Sequence, residues 1–209
     1  LALRTLMAII LPVAAFAIVM AGPLIRLLFE RGVFTGTATH AVASAVSAYA
    51  AGLPAIAAYY IVTRAYYALQ DMGTPVRVGG LMIALNAVLD YMLMRLWGAT
   101  GIAAATSIVA TVNVLILLYL LRRRLDGVEA RQVGSTLLRA GMAAAVSGGI
   151  MAAAAQAVPA PATPAAPLLQ LAAGGGAGAV AYLLLSRMLR IGELSVAWGM
   201  LRRRGAALR

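Results

Sequence analysis

Six apolar stretches divide the chain, at residues 3–21, 41–69, 76–97, 102–121, 137–158 and 168–189, each broken only by small or isolated polar residues. None alternates like a strand. Each is long enough, at about 1.5 Å of rise per residue, to cross about 30 Å of hydrocarbon as a helix. Turn-forming residues fall between them: Gly22-Pro23, Gly73-Thr74-Pro75, Gly98 with Gly101, and a proline-bounded run at 159–167. Gly52 and Pro54 interrupt the second stretch and predict a kink or partial break there. The pattern predicts an all-α fold, a polytopic integral membrane bundle of six transmembrane helices.

Composition removes the soluble alternative. Of 209 residues, 63% are hydrophobic and 11% charged, against about 25% charged in a soluble domain. Cysteine is absent, which excludes disulfides, thiolate metal sites and cysteine nucleophiles. All 17 basic residues are arginines, and the formal net charge is +11. In a soluble protein that excess would suggest nucleic acid. In a membrane chain it marks cytoplasmic loops and anionic headgroups, so membrane lipids and not nucleic acid are the expected partners. Arg4 followed by an apolar run imitates a signal peptide, but further hydrophobic segments follow instead of a soluble domain. A chain that opens on Leu1 inside such a run reads as a fragment of a larger membrane protein.

The arginines orient the spans. Arg122, Arg123, Arg124, Arg131 and Arg139 follow the fourth span, and Arg187, Arg190, Arg202, Arg203, Arg204 and Arg209 follow the sixth, whereas 158–168 carries no charge. Basic residues mark the cytoplasmic side, which places both arginine-rich segments and the C-terminus inside and the Pro/Ala loop outside. Counting back, the loop 71–77 is cytoplasmic and 26–40 is outside, despite Arg26 and Arg31, with Glu30 offsetting one charge. The division is then four spans in 1–124, two further spans in 125–190, and a basic tail at 191–209. In that tail Leu194, Trp198 and Leu201 share one helical face, as in an interfacial helix.

Candidate chemistry is sparse. Asn86 and Asp90 are four residues apart in the third span and leave the same helical face. A carboxylate there costs about 2.5–3.5 kcal/mol on insertion scales and demands compensation. If the chain turns near Gly98, Thr106 lies at the depth of Asp90, and the Ile102 carbonyl one turn earlier is open if the first turn is distorted. Asn86, Asp90, Ile102 and Thr106 make a hard-oxygen set suited to a small cation such as Na⁺. The alternative is that these side chains hydrogen-bond between helices. Arg64, near the cytoplasmic end of the second span among Tyr59, Tyr60, Tyr66 and Tyr67, suits a phosphate or pyrophosphate headgroup, or snorkels to the interface within a tyrosine belt. His40 has no partner at ligand spacing and reads as a loop residue, and the small residues at 174–178 read as close helix packing. With no Ser/His/Asp set, HExxH or phosphate-cradling loop, the chain is not expected to be an enzyme.

Three segments in combination resemble a known family: Leu27-Leu28-Phe29-Glu30-Arg31-Gly32-Val33-Phe34, then Tyr49-Ala50-Ala51-Gly52-Leu53-Pro54 leading to Arg64-Ala65-Tyr66-Tyr67-Ala68-Leu69-Gln70-Asp71-Met72-Gly73-Thr74-Pro75-Val76, then Asn86 before Gly101-Ile102-Ala103-Ala104-Ala105-Thr106-Ser107. They are similar to the MurJ/MviN family of lipid II flippases, within the multidrug/oligosaccharidyl-lipid/polysaccharide exporter superfamily. The resemblance covers about residues 1–124. It implies helices nine to fourteen of a fourteen-helix, two-lobe transporter of the bacterial inner membrane. Such a transporter moves an undecaprenyl-pyrophosphate-linked peptidoglycan precursor outward by cation-coupled alternating access. The family's sodium-site positions map to Asn86, Asp90, the Ile102 carbonyl and Thr106, with a further acid on helix seven. That helix, and the pyrophosphate-holding arginines of helices one, two and eight, lie outside this chain, which is not expected to transport alone. The last two spans would line a hydrophobic groove for the polyprenyl tail. Polysaccharide-lipid or multidrug export, or a non-transport membrane scaffold, are the alternatives. The scaffold leaves Asp90 unexplained.

Overall fold

In lipid no water satisfies the backbone, so a spanning segment must close its own hydrogen bonds as a helix. The computed structural model describes residues 2–30, 36–124, 130–158 and 166–189. They form α1 (Ala2–Val19), α2 (Ala21–Phe29), α3 (Gly36–Ala68), α4 (Gly73–Trp97), α5 (Ala99–Arg124), α6 (Ala130–Ala157) and α7 (Ala166–Met188). Six of the seven are long and apolar enough to cross a membrane, one for each predicted span. The interfacial tail at 191–209, Arg190 and the uncharged connection at 159–165 lie outside the described residues.

The helices stand in a row. α7 packs on α6, α6 on α1, α1 on α3, α3 on α5 and α5 on α4, while α2 folds back against α3 and α7. Lipid removes the hydrophobic drive between helices, so contact rests on small side chains and interhelical hydrogen bonds. Two cores flank α1. On one side Met7 meets Val62 and Tyr66 of α3 and Leu117 of α5, and the buried Tyr66 hydroxyl donates to the Leu117 carbonyl at 2.8 Å. On the other, Ala8 meets Ala140, Ala143 and Ala144 of α6, and the Tyr182 hydroxyl of α7 donates to the Ala8 carbonyl at 2.5 Å. The glycine-rich stretch of α7 packs as expected. A Cβ on Gly174 would lie 3.0 Å from the Met151 carbonyl oxygen of α6.

Three turn signals resolve differently from expectation. Gly22 and Pro23 do not end the first helical region. The break falls at Met20, and both residues lie in the first turn of α2, where proline's missing N–H breaks no intrahelical bond. Gly73-Thr74-Pro75 likewise opens α4 instead of preceding it. The chain reverses just before, through Gln70 in the left-handed region (φ 57°) and an Asp71 N–H bond to the Tyr66 carbonyl. Third, α3 runs unbroken through Gly52 and Pro54, so the partial break does not occur. Gly52 serves approach instead: a Cβ there would sit 2.8 Å from Ser107 Cα, and the Ser107 hydroxyl donates to the Ala48 carbonyl at 2.6 Å.

The α4–α5 hairpin turns at Gly98, as its sequence predicts. Gly98 has φ +58°, a conformation other residues adopt at a cost, and its N–H bonds the Met94 carbonyl. Gly101 must also lack a side chain, because a Cβ would collide with the Leu93 carbonyl. The opposite end is clasped by Asp71. It accepts the Thr74 N–H at 3.0 Å and hydroxyl at 2.6 Å, and Arg124 at the end of α5 at 2.5 Å. The Thr74 donors, with Arg124, hold the Asp71 carboxyl below its ordinary range.

A depressed carboxyl stabilises the fold above the unfolded value, about 3.9, and loses that contribution as pH falls through the folded one. Asp71→Asn should therefore lower the Tm in detergent at pH 7. The gap to wild type should close progressively as pH falls below about 4. Melting curves across that range test it, and a gap independent of pH would contradict the clasp.

Candidate functional site

Along α4, Gly79, Met82, Ile83, Asn86, Ala87 and Asp90 fall on one face, and Thr106, Val109, Ala110 and Asn113 form the facing stripe of α5. Between the stripes, with Tyr59 of α3 as a third wall, lies a cavity of about 680 Å³. At about 30 Å³ per water in the liquid, it has room for an ion with several waters. Its lining is mostly apolar and includes no arginine.

Asp90 dominates its chemistry. The Asn86 side-chain amide donates to Asp90 Oδ2 at 2.6 Å, the contact expected of an i,i+4 pair. Asp90 Oδ1 is buried and has no hydrogen-bond partner. The nearest arginine on the same helix, Arg95, is directed away and lies over the Tyr91 ring, 4.4 Å from its centroid. An ionised carboxylate oxygen without donor or counterion in hydrocarbon is costly, and a cation is the economical way to satisfy it. Hard oxygens on Asp90, Asn86 and Thr106 fit a small monovalent ion, with one negative charge for one positive.

Of the expected ligand set, Asn86, Asp90 and Thr106 are brought together on this cavity. Ile102 is not among its lining residues. Its carbonyl is not left open by a distorted first turn but accepts the Thr106 hydroxyl at 3.1 Å. Arg64 stands apart, exposed on α3 near the exposed rings of Tyr60 and Tyr67. His40 is exposed in the first turns of α3, a helical position instead of the expected loop. One residue escapes the sequence reading. Asn113 lies two turns beyond Thr106 on the same face, and its Oδ1 is also buried without a partner. The signal was an amide within a membrane-length span, seven residues from Thr106 and so on its helical face.

A second, apolar cavity of about 400 Å³ opens between α1, α6 and α7, lined by Ile9, Val13 and Phe16 on one side and Met151, Ala179 and Leu183 on the other. No charged side chain lines it. It is remote from Asp90, on the opposite side of α1 in the helix row.

Six membrane-length helices, with one unpartnered carboxylate oxygen on an open cavity between two of them, define a polytopic integral membrane protein. The family described as lipid II flippase MurJ matches residues 1–165, and the chain belongs to that family. Among curated relatives, a probable lipid II flippase MurJ of Synechocystis sp. is 33% identical over 118 residues, covering 56% of this chain and 22% of the relative. One from Rhizobium meliloti is 37% identical over 107 residues, 51% of this chain and 20% of the relative. The lipid II flippase MurJ of Thermosipho africanus is 32% identical over 118 residues, 56% of this chain and 25% of the relative. The chain thus spans a fifth to a quarter of the length of these relatives within the aligned regions. A solved structure of a lipid II flippase MurJ in an inward closed conformation shares the fold, with a TM-score of 0.72 at 24% identity over 90% of this chain and 37% of that one. Six apolar helices and this family make the chain part of a multi-pass inner-membrane protein.

Proposed function

We propose that the chain supplies helices nine to fourteen of a fourteen-helix lipid II flippase. The whole protein would carry the undecaprenyl-pyrophosphate-linked precursor of peptidoglycan outward across the bacterial inner membrane, coupled to a cation. The relatives' names support the substrate. The observation that carries the coupling is the buried, unpartnered Oδ1 of Asp90 on the α4–α5 cavity. Bound Na⁺ would supply a positive charge against that oxygen. Asn86 would orient the carboxylate through Oδ2, and Thr106 would add a neutral hydroxyl oxygen. Ile102 would join the set only with the Thr106 hydroxyl turned from its carbonyl toward the ion, because the helical N–H of Thr106 holds the other lone pair.

In this reading the apolar cavity between α1, α6 and α7 holds part of the polyprenyl tail, and Arg64 meets the pyrophosphate headgroup at the cytoplasmic end of α3. Arg122, Arg123 and Arg124 at the end of α5 and Arg187 in the last turn of α7 mark the cytoplasmic side. The missing helices of the same protein are the required partners.

Asp90→Asn in the full-length protein should abolish the sodium dependence of lipid flipping while lipid binding to the purified transporter is retained. Full sodium dependence in the variant, or loss of lipid binding ahead of coupling, would refute the ion site. A clear pH dependence without sodium dependence would make the site a proton carrier.

Orientation is tested separately. A cysteine at position 163, the only one in the chain, should react with impermeant reagent added from the periplasmic side. Labelling from the cytoplasmic side would invert the topology.

A further inference from the structure

Three buried side-chain oxygens among the described residues have no hydrogen-bond partner: Thr63 Oγ1, Asp90 Oδ1 and Asn113 Oδ1. They are not scattered. Asp90 and Asn113 line the same cavity, and Thr63 is one turn beyond Tyr59, which forms its third wall. Leaving such an oxygen unsatisfied is costly, so two of them, Asp90 Oδ1 and Asn113 Oδ1, on one cavity are themselves an observation to explain.

The positions are staggered in depth. Asp90 lies opposite Thr106, near the Gly98 turn of the hairpin. Asn113 is seven residues further along α5, about 10 Å toward the Arg122–Arg124 end. α3 runs parallel to α5, with Ala48 bonded to Ser107 and Tyr66 bonded to Leu117. That register sets Tyr59 at the depth of Asn113 and Thr63 one turn further toward the Arg122–Arg124 end. The cavity therefore has the Asp90 carboxylate toward one end and the neutral amide oxygen of Asn113 toward the other.

We infer that Asn113 is a second cation-coordinating position, a neutral station through which Na⁺ passes between Asp90 and the cytoplasmic end of the hairpin. This rests on the coupling role of Asp90 proposed above. An amide oxygen presents the hard donor that Na⁺ takes, yet brings no negative charge. It holds the ion weakly, and weak, repeated sites are what conduction through a narrow pathway requires. An apolar side chain at 113 would leave an ion departing from Asp90 with about two helical turns of largely apolar wall and no protein oxygen from α5.

The test measures binding and release of radioactive sodium by the purified full-length protein, with Asp90→Asn, Asn113→Ala and Asn113→Asp variants. Asp90→Asn should lose binding. Asn113→Ala should keep equilibrium affinity but release the ion about tenfold more slowly, as expected for one lost hydrogen-bond-strength contact on the exit path. Asn113→Asp, which serves if the alanine variant does not fold, should bind a second sodium ion per protein. Unchanged release in Asn113→Ala, or unchanged stoichiometry in Asn113→Asp, while Asp90→Asn has lost binding, would overturn the Asn113 role and leave the coupling reading standing. Wild-type binding in Asp90→Asn would overturn both.

Discussion

Hydrocarbon offers no water to a polar group, so each one inside a span must find its partner within the protein. Most of this chain obeys that constraint by local means. Thr111 and Ser186 return their hydroxyls to carbonyls of their own helices, and Ser107, Tyr66 and Tyr182 spend theirs on neighbouring helices. Against that background the free oxygen of Asp90 stands out, because it belongs to the group with the largest solvation to replace. The site is defined by what the rest of the fold leaves unsatisfied.

The surrounding architecture holds that oxygen where it is. Gly98 and Gly101 let α4 and α5 close as a tight hairpin, which brings Asp90 level with Thr106. Asp71 clasps the other end to Arg124, limiting how far the two helices slide. Asn86 occupies Oδ2 and so aims Oδ1. α3 closes the third side through Tyr59, and its own position is fixed by Gly52 against Ser107 and Tyr66 against Leu117. The hydrogen bonds of the α3–α5 contact thus serve to shape a cavity whose chemistry lies on α4.

Much of this was legible in the sequence, for physical reasons that differ by feature. Spans are legible because lipid permits only one backbone solution for a stretch of that length and apolarity. Asn86 with Asp90 is legible because helical geometry alone makes neighbours of i and i+4. Thr106 needed one further step, a turn at Gly98 that glycine makes easy. Asn113 was missed because no local spacing joins it to the acid. Its meaning depends on α3 walling the cavity and on its oxygen lacking a donor, both properties of the assembled helices. The openness of the Ile102 carbonyl likewise depended on which way the Thr106 hydroxyl turned. Gly22-Pro23 and Gly73-Thr74-Pro75 misled because a proline that ends one helix is equally at home in the first turn of the next.

The central claim, that a monovalent cation satisfies Asp90 between α4 and α5, is most directly tested by locating the ion. Crystals of the full-length protein grown in sodium and exchanged into a thallium salt would report it by anomalous scattering, Tl⁺ standing in for Na⁺. The account predicts an anomalous peak within coordination distance of Asp90 Oδ1, on the Thr106 side of the cavity. No peak there, with Oδ1 instead accepting hydrogen bonds from a side chain of the remaining helices, would contradict it.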